Sequence, residues 1–280
     1  MHESRGLPSI HRLAGPFNKA DTMKKLLINK TMTLLLGLLV PLLIIVVMEI
    51  IGRFGLTESQ LFVPPKVIFE TLVDLLKEGE LARNLGISFL RVTTGFLLGS
   101  ALGLIFGVAM GMSRHFEEYV GPLFHGLRQV PVLAWIPLLI ISIGIGEEFK
   151  IYFIALTAFY PMALCTGEGI RGVSKSYREV GAVFEFSRAK QFRTIILPAA
   201  LPSVFTGLRL SLSISWMAVV GAELVAASEG IGFMMYKARQ QIQVDTVIVC
   251  IIAIGLTGYA MTLALEKVEA YTLRWRKSDM

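Results

Sequence analysis

Six stretches of this chain carry almost no charge over lengths comparable to a bilayer crossing. After Lys30 no charged residue appears until Glu49, and further uncharged runs cover 92–113, 129–146, 151–167 and 246–265. The remaining run, 194–222, is interrupted only by Arg209. A spanning helix takes ~20 predominantly apolar residues. In hydrocarbon every backbone N–H and C=O must also find its partner inside the protein. The runs therefore predict an all-α membrane protein with six spans, at about 32–51, 88–112, 130–146, 149–166, 201–225 and 245–265. The third and fourth are short and meet around Glu147-Glu148, which predicts a tight helical hairpin. The first run is too long for the core of a signal peptide and lacks a small-residue cleavage site, so it stands as a span. Composition agrees: 17% of residues are charged, where a soluble domain carries ~25%.

Between and beside the spans the chain reads differently. Residues 1–30 form a basic tail broken by Gly6, Pro8, Gly15 and Pro16. Met23-Lys24-Lys25 would itself make an ordinary start, so 1–22 reads either as a misassigned start or as an extension. From Pro65 to about Lys77, Val67, Ile68, Thr71, Leu72, Leu75 and Leu76 recur at three and four, with Glu70, Asp74 and Lys77 opposite. That is an amphipathic helix too charged to span, and it is expected along the membrane surface. Residues 31–270 are expected as one six-span domain, and 271–280 as a second short tail.

Orientation follows from Lys and Arg in the connections. With the N-terminus inside, the inner segments hold six, two, six and four basic residues, against four, one and two outside. Both termini and the 167–200 loop are therefore expected in the cytoplasm.

Small residues mark where helices approach. Gly95, Gly99, Gly103, Gly107 and Gly111 recur every fourth position in the second span, and glycine lets backbones pack closely in lipid. The row predicts helix packing, either within the chain or at a subunit interface. Ser203, Gly207, Ser211 and Ser215 form a similar row, read equally as packing or as pathway lining. Charges inside spans are functional candidates by default. Arg209 is read either as snorkelling to headgroups or, with Ser211 and Ser215, as facing the pathway. Glu223 and Glu49 are read as boundary residues. Cys165 and Cys250 fall inside spans as small packing residues, and no Cys/His cluster predicts a metal. His2, His11, His115 and His125 are scattered.

The 167–200 connection is the most structured of the loops. Ser176 followed by Glu179 matches a capping box. Ser187 is placed to cap a second short helix running towards Leu197, and Pro198 is expected to stop it. Glu179, then Ile195, Leu197 and Pro198 at fixed distances, resembles the coupling loop of permease subunits of bacterial ABC importers. Val180 and Gly181 stand where that family has two alanines, and Glu185 where it has glycine. The likeness continues in Leu133-Ala134-Trp135-Ile136-Pro137-Leu138 with Gly144-Ile145-Gly146, and in Gly230-Ile231-Gly232-Phe233. It covers most of the chain from about residue 60 and points to the sulfonate/nitrate/taurine branch.

The resemblance implies a type I importer permease in the bacterial inner membrane, forming the pathway for a small, anionic solute. It implies a second permease subunit, expected as a homodimer, two ATPase subunits carrying ATP-Mg, and an external binding protein. It assigns Glu179, Gly181, Val183, Phe184, Ile195, Leu197 and Pro198 to the ATPase-coupling loop, with a first short helix at about 177–186. No catalytic residues, bound cofactor or nucleic-acid partner are expected. The run Gly167 to Ser174 imitates a phosphate-binding loop but has Val173 where the lysine belongs, and it follows a span rather than a strand. A secondary transporter, which calls for inverted repeats and intramembrane acidic groups, and an intramembrane enzyme remain as alternatives.

Overall fold

The computed structural model describes residues 63–275 together with positions 39, 43, 46, 47, 49 and 50. Contacts divide the chain into residues 1–66 and residues 67–280. In the first unit, Leu39, Leu43, Val46, Val47, Glu49 and Ile50 are helical, and the rest of the expected span at 32–51 lies outside the described residues. So do the basic tail 1–30 and residues 276–280. Among the described residues the structure is entirely helical, with turns between helices.

The amphipathic helix expected after Pro65 is α1, Pro65–Lys77. Its Leu75 enters a core of Leu81, Ile231, Met234, Val249 and Cys250, while Thr71 Oγ1 donates to Asp245 Oδ2 at 2.7 Å. Gly79, at φ 74°, turns the chain sharply into α2, Glu80–Met112. At 33 residues this helix is about 50 Å long, well beyond the ~30 Å hydrocarbon thickness. It starts at Glu80 rather than 88, because a helix can extend into the polar interface where its charged first turns are hydrated.

The centre of the second unit is α5, Glu147–Arg171, held between α2 and α8, Leu197–Ala226. All five glycines of the α2 row face α5 within the chain. A Cβ added at Gly99 would lie 2.1 Å from the Ala155 carbonyl oxygen, and one at Gly103 or Gly107 would lie 2.6 or 2.5 Å from the carbonyls of Phe159 or Ala163. At Gly95 and Gly111 it would meet Ile154 and Ile170 at 2.7 Å. On the other side of α5, Gly169 meets Ser203 and Gly207 meets Cys165 in the same way. Gly99→Ala is expected to destabilise by about 1–3 kcal/mol, because the clash is with backbone that cannot rotate away. Gly86→Ala, on the same helix with nothing within 4 Å, should instead gain about 0.5–1 kcal/mol. The thermal unfolding midpoints of the two detergent-solubilised variants should move in opposite directions; equal shifts would remove the close-packing account.

The third expected span is corrected. Residues 113–129, read as a loop, contain α3, Arg114–Arg128, capped by Ser113 Oγ, which accepts from Phe116 N–H at 3.2 Å. A 3₁₀ turn, Val132–Trp135, and the eight-residue α4, Ile136–Ile143, follow it. The direction changes by 93° between α3 and the helical segment 132–143. At about 12 Å, α4 is too short to cross. Pro131 sets the bend, since it cannot continue the ladder from α3. Among the described residues, four helices are long and apolar enough to span, or five if the bent pair counts as one. Phe106, Phe116, Phe124, Phe159 and Tyr160 pack ring against ring where α3 meets α2 and α5.

Pro198 does not stop the helix before it, a second correction. The chain runs from α7, Arg188–Gln191, through a π-helical stretch, Phe192–Ile196, straight into α8. Leu197 N–H reaches back five residues to the Phe192 carbonyl. The wider turn accommodates a proline ring and the donor it lacks, so the helix continues. After α8, α9 spans Ile231–Gln240 and α10 spans Val244–Thr272. Trp216 Nε1 donates to the Ile254 carbonyl at 3.0 Å, fixing α10 against α8.

Candidate functional site

The loop at the α5–α8 end begins with α6, Lys175–Val183. It starts one residue ahead of Ser176, so Ser176 lies within the first turn and the expected capping box does not form at that position. Tyr177 N–H donates instead to the Ser174 carbonyl at 3.2 Å. Glu179 is exposed. The helix ends in a left-handed residue, Glu185, at φ 51°. Phe186 N–H reaches the Gly181 carbonyl at 3.0 Å, the six-to-one bond of a Schellman turn. That conformation favours glycine, which explains why a glycine suits this position in the resembled family.

Gly181 is buried, and a Cβ there would lie 3.0 Å from Ile195 Cδ1 and 3.1 Å from Gln191. Both neighbours are side-chain ends, so an alanine fits after a small shift. This contact presses α6 onto the π stretch. Ser187 caps α7 by accepting from Lys190 N–H, and the Lys190 ammonium sits 4.2 Å from the Phe186 ring centroid. Leu197 and Pro198 open α8 directly behind Ile195. The loop thus joins α8 without a flexible break. Facing away from it, Val183 is 80% exposed and Phe184 67%, with Val180 also open. The molecule holds an apolar helix face outward at the end of a span.

The residues read as possible pathway lining, Arg209, Ser211 and Ser215, all lie on α8. Ser211 Oγ donates to the Ala158 carbonyl of α5 at 2.8 Å and is fully buried, as is Ser215 one turn on. Arg209 donates to the Glu269 carboxylate of α10. Ser211 thus bonds α8 to α5, Ser215 is also buried, and Arg209 pairs with Glu269 of α10.

At the opposite end of the bundle lies a charged cluster that the sequence reading missed. Arg91 of α2 donates from Nη1 to Glu223 Oε1 and to the Glu229 carbonyl, each at 2.7 Å. Its Nε and Nη2 hold Glu147 Oε2 and Oε1, also at 2.7 Å, and Lys150 Nζ reaches Glu147 Oε1 at 2.6 Å. Glu223 is further held by Ser88 Oγ and by the Gly232 N–H at 2.9 Å. Asn84 and Ser88 accept the N–H groups of Gly230 and Ile231. A Cβ at Gly230 would lie 2.3 Å from Glu223 Oε1, and one at Gly232 2.8 Å from Glu223 Cβ. The Gly-Ile-Gly run is therefore the seat of a buried carboxylate. The available signal was opposite charge at three span ends. No local periodicity pairs residues so far apart in sequence.

The sequence model for the inner membrane component of binding-protein-dependent transport systems matches residues 95–270. A putative aliphatic sulfonates transport permease of Bacillus subtilis is 40% identical over 263 residues, 94% of this chain and 95% of its own length. A nitrate import permease of Synechocystis is 33% identical over 220 residues, 76% of this chain and 80% of its own. Among solved structures, an amino acid ABC transporter aligns with a TM-score of 0.57 at 17% identity, over 73% of this chain and 98% of that one. That last likeness concerns the fold.

Proposed function

The chain belongs to the family of inner-membrane components of binding-protein-dependent transport systems, and from that premise we propose which solute it carries and how it is driven. It is the permease subunit of an ATP-driven importer, working with ATPase and substrate-binding partners. The solute is a small anion of the aliphatic sulfonate class. The observation that carries this is the 40% identity, sustained over 94% of the chain, to a protein named as an aliphatic sulfonates permease.

Two copies of the chain assemble with two ATPase subunits, which bind ATP-Mg. Both termini and the loop holding α6 and α7 face the cytoplasm, and the charged cluster faces the external binding protein. The outward Val180, Val183 and Phe184 are the surface that meets the ATPase, with Glu179 beside them. Because α6 is fixed through Gly181 and Ile195 to the start of α8, a push on α6 moves a spanning helix. The support is the unbroken helical path from α7 to α8.

The test is uptake. The permease, reconstituted in proteoliposomes with its ATPase and binding protein, should accumulate labelled ethanesulfonate only with ATP. Failure to take up ethanesulfonate, taurine or nitrate would overturn the anion reading. Orientation is checked separately with single cysteines: one at Lys175 should react only from the ATPase side, and one at Lys77 only from the other. Reversed labelling would reverse the topology.

A further inference from the structure

We infer that Arg91 and Lys150 form a station for the anionic group of the solute, held closed in this state by Glu147 acting as a tethered substitute. This rests on the reading of the chain as an anion importer. The exposures are lopsided. The Arg91 and Lys150 side chains are 5% and 4% exposed, yet the Glu147 carboxylate that joins them is 58% exposed. The cations cannot reach water, whereas the anion between them can leave.

Its attachment allows that. Glu147 is the first residue of α5, after Gly144-Ile145-Gly146. Gly144 sits at φ 89°, and neither glycine has a neighbour within 4 Å of an added Cβ. The donor edge would stay in place after Glu147 withdrew. Arg91 Nη1 remains bonded to Glu223 and to the Glu229 carbonyl, and Glu223 is fixed by Ser88 and Gly232.

Charge then decides what enters. With Glu147 gone, two buried cations face one buried carboxylate. Among the described residues Lys150 has no other hydrogen-bonding or ionic partner. Unpaired buried charge is costly, so an anion must replace the departing one. The station presents three donors, Arg91 Nε and Nη2 and Lys150 Nζ. Glu147 has two oxygens for them, and Oε1 takes two donors. A sulfonate or nitrate has three oxygens, one for each donor. The bidentate guanidinium edge suits such groups particularly well.

The experiment uses the full chain with its ATPase in nanodiscs, without binding protein. Thermal unfolding is followed against ethanesulfonate concentration, with chloride and neutral diethyl sulfone as controls. Glu147→Gln should lower the half-saturating ethanesulfonate concentration about tenfold, by removing the internal competitor. Lys150→Met should abolish the ethanesulfonate effect in either background. If Glu147→Gln cannot be purified alone, ethanesulfonate during purification should recover it and the sulfone should not. No gain in Glu147→Gln, an undiminished effect in Lys150→Met, or no recovery by ethanesulfonate would each overturn the station. Wild-type uptake of ethanesulfonate alongside any of these would leave the importer reading standing. A station that binds ethanesulfonate in a transporter that imports no anion would sink that reading instead.

Discussion

Arg91→Met is expected to destabilise the chain by about 3–5 kcal/mol, the cost of leaving one partner of a buried ion pair without the other. Glu223, with its side chain 0% exposed, keeps only Ser88 and the Gly232 N–H once the guanidinium is gone. A domain is stable by about 5–15 kcal/mol in all, so the variant should give little monodisperse protein. Glu223→Gln should cost less. Arg91 would still hold Glu147, whereas Arg91→Met leaves Glu223 without any cation. The double variant Arg91→Met/Glu223→Gln removes both charges and should recover much of the loss, giving a favourable coupling in the double-mutant cycle. Lys150 keeps Glu147 paired throughout. Wild-type melting of Arg91→Met, or a double variant no better than that single one, would show that the cluster is not what fixes α9 and the N-terminal part of α5 to α2.

Hydropathy made α2, α5, α8 and α10 legible because each is apolar over a span's length. The three-and-four repeat made α1 legible for the same kind of reason. Composition carries no direction, however. The residues of α4 are as apolar as a span, and only Pro131 and the two glycines at 144 and 146 signal that this segment turns. Pro198 misled in the other sense: a local rule says that proline breaks a helix, but five residues of π geometry absorb it. The Arg91 cluster was hidden for a deeper reason. The partners of Arg91 lie 56 to 138 residues from it and meet it only through the packing of helices. Each, read alone, looked like an ordinary interfacial charge. The Gly-Ile-Gly run at 230–232 was visible as a motif, but its purpose depends on a carboxylate in another helix.

Phe184→Asp should weaken association with the ATPase by about 2–4 kcal/mol, a loss of about 30- to 1000-fold in affinity, if α6 is the docking helix proposed here. The side chain is 67% exposed, so the substitution has little folding cost to confuse the result. Phe184→Leu keeps an apolar contact and should retain most binding. Glu179 tests a different part of the same surface. Since α6 begins at Lys175, Ser176 does not occupy the cap, and Glu179 has no capping box to lose. Glu179→Gln and Glu179→Ala should therefore fail alike, each lowering solute-stimulated ATP hydrolysis while the subunit still inserts. A near-normal Gln variant beside a failing Ala variant would mean that Glu179 acts by shape and hydrogen bonding, not charge. Gly181→Leu separates docking from transmission. It would drive a branched side chain into Ile195 and Gln191 and tilt α6 away from α8. ATPase should still bind through Val183 and Phe184, but uptake should fall with hydrolysis less affected. Wild-type ATPase binding and uptake in Phe184→Asp and Glu179→Ala together would place the coupling surface elsewhere on the chain.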